Sequence, residues 1–397
     1  MLRVLAITKI FPNAAEPLSA PFNRQQFAAL STRCELSVMG TIPWYPGAGL
    51  LARWSSAGKL AAVPAHETID GIAVSHPRTL FLPRLAHATW GPLYAASIAP
   101  ALVRYRNKVD VVLGSWAYPD GFAAVIAAQL LGVPSVVKLH GSDINVITRL
   151  PGPRRLSAWA LPRAQRIVAV SRALADEAVA LGVARERIAI VMNGVDRELF
   201  HPRDRAAARA ELGLPPGVPI ALYVGNLKEV KGVQDLPAAW TRVSQDVPEA
   251  TLVVVGAGPL QGELAAGFAP LGDRVRMVGA QPLPSIPTWM AAADVMVLPS
   301  HHEGTPNVIL EALSCGRRVV ATSVGGIPDL ITDPALGGLV APRDPQALGS
   351  ALALALTSPY APEEVAKLGA RGGWDASAAA LYEVLVGAAN ANVQGSR

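Results

Sequence analysis

Cysteine is almost missing from this chain of 397 residues, with Cys34 and Cys315 its only two. Such a pair cannot staple a fold together, and its apolar surroundings point to buried thiols in a reducing cytoplasm. Long apolar runs are missing too: the most apolar stretch, residues 122–137, is broken by Gln129, Gly132 and Pro134 and falls short of a bilayer span. The opening residues 1–9 are too short and too soon interrupted for a signal-peptide core. No glycine precedes Gly40, so the first strand is not followed by the G-x-G-x-x-G turn of a dinucleotide site. Asp-x-Asp dyads are absent throughout, and with them one common carboxylate arrangement for a divalent metal. Charged residues are sparse at 16%, while hydrophobic ones reach 51%. That balance excludes a disordered chain and fits an α/β protein with much buried strand. Neither short repeats nor low-complexity segments occur, which sets solenoids aside.

The charge that is present falls unevenly. Residues 1–200 hold 21 Lys+Arg against 12 Asp+Glu, whereas the remainder holds 14 against 18, within a net charge of +5. A basic first half calls for an anionic partner there, a lipid head group or a lipid-linked pyrophosphate. Nucleic acid is not expected, because no recognition motif for it is visible. Residues 41–60 mix Trp44, Tyr45, Leu50, Leu51 and Trp54 with Arg53 and Lys59. This composition suits a membrane surface or an apolar acceptor, and equally an ordinary packed loop and helix.

Apolar runs at residues 2–8, 110–114, 134–139, 166–170 and 188–192 read as buried strands of a first doubly wound unit. The third ends in His140-Gly-Ser-Asp143, a polar cluster at the carboxyl end of a strand, where open α/β sheets place ligands. Residues 201–217, rich in Arg, Asp, Ala and Pro, read as a surface linker. A second Rossmann-like unit opens at residues 219–225 and continues into Asn226-Leu-Lys228-Glu-Val-Lys231-Gly232. Near the end, Ala378, Leu381, Val384 and Leu385 recur at helical spacing after Trp374.

The densest chemistry lies in residues 299–329, PSHHEGTPNVILEALSCGRRVVATSVGGIPD. Between two short strands sits a helix with Thr305 placed as N-cap, Pro306 at the first helical position and Gly316 where it must stop. Glu303 precedes this helix and Glu311 falls in its second turn. At 1.5 Å of rise per residue, positions 305–311 cover roughly 9 Å, leaving the acids about 10 Å apart. That is too far for the ~5 Å carboxyl pair of a retaining glycosidase. It suits a long ligand whose pyrophosphate rests on the amides and positive dipole end of the helix. Carboxylates only accept hydrogen bonds, so each acid would take hydroxyls, a sugar at one end and a ribose at the other. The ligand so described is a nucleoside diphosphate sugar.

The segment EGTPNVILEALSCGRRVVATSVGGIPDL resembles the donor-site signature of family 4 glycosyltransferases, retaining enzymes of the GT-B fold. The resemblance spans essentially the whole chain, strongest over residues 220–339 and weakest over 41–109. It implies that Glu303 meets the sugar, Glu311 the ribose, and Gly304, Thr305, Pro306, Asn307 and Val308 the pyrophosphate. The family sets an arginine and then a lysine on the donor phosphates; Lys231 matches the lysine, Asn226 stands in place of the arginine, and Lys228 is a neighbouring charge. A family histidine facing the donor sugar matches His140, with Asp143 placed on the acceptor side. Glu303, His140 and Lys231 form the implied catalytic set. The loop after the first strand, usually glycine-bearing in the family, here reads Ser19, Ala20 and Pro21.

The expected architecture is α/β, two Rossmann-like domains with parallel sheets facing across a cleft. Residues 1–205 would bind acceptor, residues 206–372 the nucleotide-sugar donor, and residues 373–390 would form a helix crossing back to the first domain. The expected reaction is retaining transfer of a sugar from a UDP- or GDP-sugar to a hydroxyl of a carbohydrate or lipid-linked acceptor, with no cofactor and no essential metal. The expected setting is cytoplasmic, with peripheral contact to an anionic inner membrane face. A nucleotide-sugar epimerase of the same architecture and a non-catalytic nucleotide-sugar-binding protein remain open alternatives.

Overall fold

A computed structural model describes residues 1–45, 56–80 and 87–395. Leu50, Leu51, Arg53 and Trp54 of the basic and aromatic stretch lie outside the described residues. The chain divides into one unit of Met1–Asn193 with Trp374–Arg397, and a second of Gly194–Gly373. Residues 194–205 thus belong to the second unit, where a parallel bridge pairs Val195 with Gly373. Among the described residues no helix is long and apolar enough to cross a membrane.

The first unit carries β1 (Arg3–Thr8), β2 (Glu35–Gly40), β3 (Ile42–Trp44), β4 (His66–Ile69), β5 (Ile72–Ser75), β6 (Arg78–Leu80), β7 (Val111–Ser115), β8 (Ser135–Leu139), β9 (Arg166–Ala169) and β10 (Ile188–Ile190). Its main sheet has eight strands in the order β10-β9-β8-β7-β1-β2-β5-β4, and β3 pairs with β6 in a separate ribbon. The sheet is parallel except at one edge, where β4 runs antiparallel to β5. The connection there explains the exception: Asp70 and Gly71, with φ of 49° and 78°, form a two-residue hairpin turn too short for a crossover.

Strand β1 shows why such runs read as continuously apolar. Val4 and Ala6 enter one core and Leu5 and Ile7 the other, so both faces of the sheet are covered. The Val4 core is completed by Ala378, Leu381, Leu385 and Ala388 of the helix Trp374–Gly395, which packs on the helix Pro21–Ser31. The helix Trp374–Gly395 belongs to the first unit.

The second unit holds β11 (Ile220–Val224), β12 (Thr251–Val255), β13 (Val275–Gly279), β14 (Val295–Leu298), β15 (Arg318–Thr322) and β16 (Gly337–Val340). They form a six-stranded sheet in the order β13-β12-β11-β14-β15-β16, with every pair parallel. Among the parallel strands of each unit the order reverses once, between β1 and β7 in the first and between β11 and β14 in the second. Doubly wound sheets open a crevice at the carboxyl ends of such a strand pair.

Candidate functional site

At the reversal in the second unit, the loops after β11 and β14 meet. Lys231, half-buried, donates from Nζ to Glu303 Oε1 at 2.7 Å, and the Ser300 hydroxyl donates to the same oxygen at 2.7 Å. Glu303 is 9% exposed, and a polar group so far from water needs such hydrogen-bond partners. Sequence reading had given Lys231 and Glu303 to different parts of a ligand; the structure joins them in one ion pair.

Two glycines allow this meeting. Gly232 has φ of 60°, and a Cβ there would lie 1.9 Å from the Pro299 carbonyl oxygen. Gly325 has φ of 55°, and a Cβ there would lie 2.1 Å from the Glu303 carbonyl oxygen. The backbone bonds across these approaches are His301 N–H to the Val230 carbonyl at 3.0 Å and Gly326 N–H to the Gly304 carbonyl at 2.7 Å. Three loops thus clasp the Lys231–Glu303 pair. Asn226 and Lys228 stay exposed on the first of them, and the Asn226 carbonyl accepts from the Tyr223 hydroxyl at 3.0 Å.

The helix beside this pair begins later than its sequence implied. It spans Asn307–Ser314, with Pro306 as N-cap rather than first helical residue and Thr305 outside it. Pro306 holds an extended ψ of 110°, so its carbonyl stays available to accept the Ile309 N–H at 3.1 Å. The amino end of the helix carries the positive end of its dipole and attracts anions. Gly316, with φ of 73°, follows the C-cap residue Cys315 as expected. Glu311 is half-buried in the second turn, about 6 Å along the axis from Asn307. Burial pushes its carboxyl up to about 7.

In the first unit, His140 follows β8 and is flanked by the rings of Phe22 and Trp116, with centroids at 5.0 Å and 5.7 Å. Its Nε2 lies 2.9 Å from Ser115 Oγ at the end of β7. Burial, helped by the nearby Lys138 charge, holds the imidazole well below its ordinary pKa, so the ring is neutral. Asp143 lies three residues beyond His140. Its side chain is fully buried, and its carboxylate accepts backbone N–H bonds from Ala117 at 2.8 Å, Gly141 at 2.6 Å and His140 at 3.1 Å. Those bonds fix the loop that carries His140.

Two buried ionisable groups escaped the sequence reading. Asp120, fully buried, accepts from the Lys9 N–H at 2.9 Å and has its carboxyl pushed up to about 7 by burial. Lys138, fully buried within β8, donates to Gln26 Oε1 at 2.5 Å and Asn193 Oδ1 at 3.3 Å. Burial lowers it to about 7. The available signals were Pro119-Asp120-Gly121 just after a strand and one lysine inside an apolar run. Ala20 and Trp116 take positive φ of 45° and 147°, a conformation costly for residues with a Cβ, and both border this region. Among the described residues no group of three or more His, Cys, Asp or Glu side chains gathers as metal ligands.

Residues 218–358 match the family model for glycosyl transferases group 1, and residues 44–199 that for glycosyltransferase family 4. The chain is 30% identical to N-acetyl-alpha-D-glucosaminyl L-malate synthase of Bacillus anthracis over 60% of its own length and 64% of that protein. It is 28% identical to the putative teichuronic acid biosynthesis glycosyltransferase TuaC of Bacillus subtilis over 88% of each chain. D-inositol 3-phosphate glycosyltransferase 1 of Catenulispora acidiphila is 32% identical over 71% of this chain and 72% of that one. Among solved structures, Anabaena HepE in complex with UDP superposes with a TM-score of 0.69 at 21% identity, covering 100% of this chain and 99% of that one, a likeness of fold. With a family model matched in each unit and a relative 32% identical across 72% of its length, this chain belongs to the family 4 glycosyltransferases, of GT-B fold.

Proposed function

We propose that the chain moves a sugar, with retention at the anomeric carbon, from a UDP- or GDP-sugar to a hydroxyl of a carbohydrate or lipid-linked acceptor. The observation that carries this reading is the Lys231–Glu303 pair at the β11/β14 reversal, beside the amino end of the helix Asn307–Ser314. In this reading the second unit binds the donor. Gly304 to Val308 and Lys231 hold the pyrophosphate, Asn226 and Lys228 its rim, Glu311 the ribose and Glu303 the sugar hydroxyls. As the glycosidic bond lengthens, negative charge gathers on the leaving diphosphate, and Lys231 with the helix end supplies the compensating positive charge. No cofactor and no essential metal are required. A donor phosphate oxygen takes the acceptor proton on the same face, so no separate protein base is needed.

The first unit supplies His140 to the sugar and receives the acceptor. Support for a saccharide acceptor comes from the relative named for teichuronic acid biosynthesis, and support for a nucleotide donor from the HepE structure with UDP. The proposed setting is the cytoplasm, with peripheral contact between the basic first half and an anionic membrane face.

A thermal-shift screen of the pure protein against UDP- and GDP-sugars tests the donor site, with Glu311→Ala and Lys231→Ala alongside. A ligand at 100 times its Kd stabilises by about 2.7 kcal/mol, readily seen in Tm. A shift selective for one nucleotide and lost in both variants is the expected result. No shift with any nucleotide sugar would remove the donor reading.

A further inference from the structure

Behind His140 a file of hydrogen bonds can run in one direction only. Asn23, fully buried on the helix Pro21–Ser31, donates from Nδ2 to the Ile10 carbonyl at 2.8 Å. A carbonyl cannot donate, so that end of the amide is the nitrogen; turned over, the amide would set two acceptors against each other. The atom 3.0 Å from Ser115 Oγ is therefore Asn23 Oδ1, and Ser115 donates to it. A hydroxyl has one proton, and this one is now spent. At 2.9 Å from His140 Nε2, Ser115 Oγ must accept. The imidazole then carries its proton on Nε2, and Nδ1 keeps its lone pair.

We infer that Asn23 and Ser115 are positioning residues that hold His140 as the Nε2–H tautomer and present Nδ1 as a hydrogen-bond acceptor to a hydroxyl of the substrate sugar. The second half of this inference rests on the proposed role of His140 at the sugar. The anchoring groups converge from the loop after β1, the helix Pro21–Ser31 and the end of β7, around the reversal between β1 and β7. The Phe22 and Trp116 rings restrict the imidazole plane. Of the charged groups nearby, Lys138 opposes a second proton on the ring, while the Asp143 carboxylate is engaged by backbone amides. A neutral ring with a fixed proton can sense hydroxyl orientation in a way an imidazolium cannot, since the cation has no acceptor.

The test is two-bond ¹H–¹⁵N correlation NMR on the full chain with ¹⁵N-histidine, assigned with His140→Gln. Wild type is expected to show His140 with its proton on Nε2. Ser115→Ala is expected to lose that single tautomer, and Ser115→Thr, which keeps the hydroxyl, to restore it. An Nδ1–H tautomer in wild type, or an unchanged Nε2–H tautomer in Ser115→Ala, overturns the inference. UDP-glucose, UDP-N-acetylglucosamine and GDP-mannose are then added in turn. Whichever of them raises Tm is expected to shift the Nδ1 resonance while Nε2–H persists. A probe that raises Tm but leaves Nδ1 unmoved overturns the acceptor role and the assignment of His140 to the sugar, with the tautomer result intact. A failure of all three to raise Tm counts against the donor reading and the sugar contact together, again without touching the tautomer result.

Discussion

The two units place a lysine and acids near the same edge of similar sheets and treat them in opposite ways. In the second unit, the Lys231 side chain is 26% exposed and pairs with a carboxylate. In the first, Lys138 is 0% exposed, held by neutral amides, and Asp143 is bonded to backbone N–H groups. One unit keeps its charge at the site and the other buries it, leaving a neutral imidazole between aromatic rings. The contrast matches the proposed chemistry. A leaving diphosphate needs fixed positive charge, whereas an uncharged hydroxyl is better oriented by neutral donors and acceptors.

Breaking the charged side should have the largest effect. Lys231→Ala is expected to lower kcat about 10²- to 10³-fold, the usual loss for one electrostatic donor to a developing anion. Steady-state kinetics with the sugar nucleotide selected by thermal shift measure it. A loss below about threefold would place the stabilising charge elsewhere.

Breaking the buried side should act on stability instead. Lys138→Met removes the donor to the buried Gln26 Oε1, at a cost of about 1–3 kcal/mol for that unsatisfied group. The pH dependence sharpens the assignment. Lys138 is lowered from 10.5 to about 7 in the folded state, so between those values the unfolded chain binds the extra proton and wild-type stability rises with pH. Urea titrations from pH 7 to 10 should show that rise diminished in Lys138→Met; parallel curves would argue against a buried amine with a lowered pKa.

The smallest effect is expected at Glu311, which belongs to the charged unit but is half-buried. Its folded pKa is raised from 4.5 to about 7, so its stabilising contribution is full below pH 4.5 and lost as pH rises through 7. Glu311→Gln removes that titration and should melt higher than wild type at pH 8. It should also bind the nucleotide about tenfold more weakly, as expected for a lost charged hydrogen bond. A melting point equal to wild type at both pH 5 and pH 8 would refute the raised carboxyl.

What could be read from sequence was whatever local spacing encodes. Glu303, the helix after it, its terminating Gly316 and the strands at residues 219–225 and 318–322 lie close together, so short-range rules applied. The Lys231–Glu303 bond joins positions far apart, and spacing alone could not show it. Pro306 was read one position too deep because proline's preference for the first helical residue, beside a capping threonine, pointed to a start one residue earlier than the structure has. Lys138 and Asp120 were overlooked for a related reason: a buried charge is recognised by its partners, here Gln26, Asn193 and the Lys9 amide, which come together only in the fold. The bonds of Asp143 to the Ala117, His140 and Gly141 amides are likewise visible only in the fold.

The helix Trp374–Gly395 has a consequence for the order in which the protein is made. Its Ala378, Leu381, Leu385 and Ala388 complete a core whose other half begins at Val4, yet the ribosome reaches them only after the whole second unit. The first sheet must therefore wait in the cell with part of one apolar face, beside the helix Pro21–Ser31, uncovered while residues 194–373 are synthesised. Domains generally fold as they emerge; here the earlier of the two units to emerge is completed after the later one, and that interval is when chaperones would have most to protect.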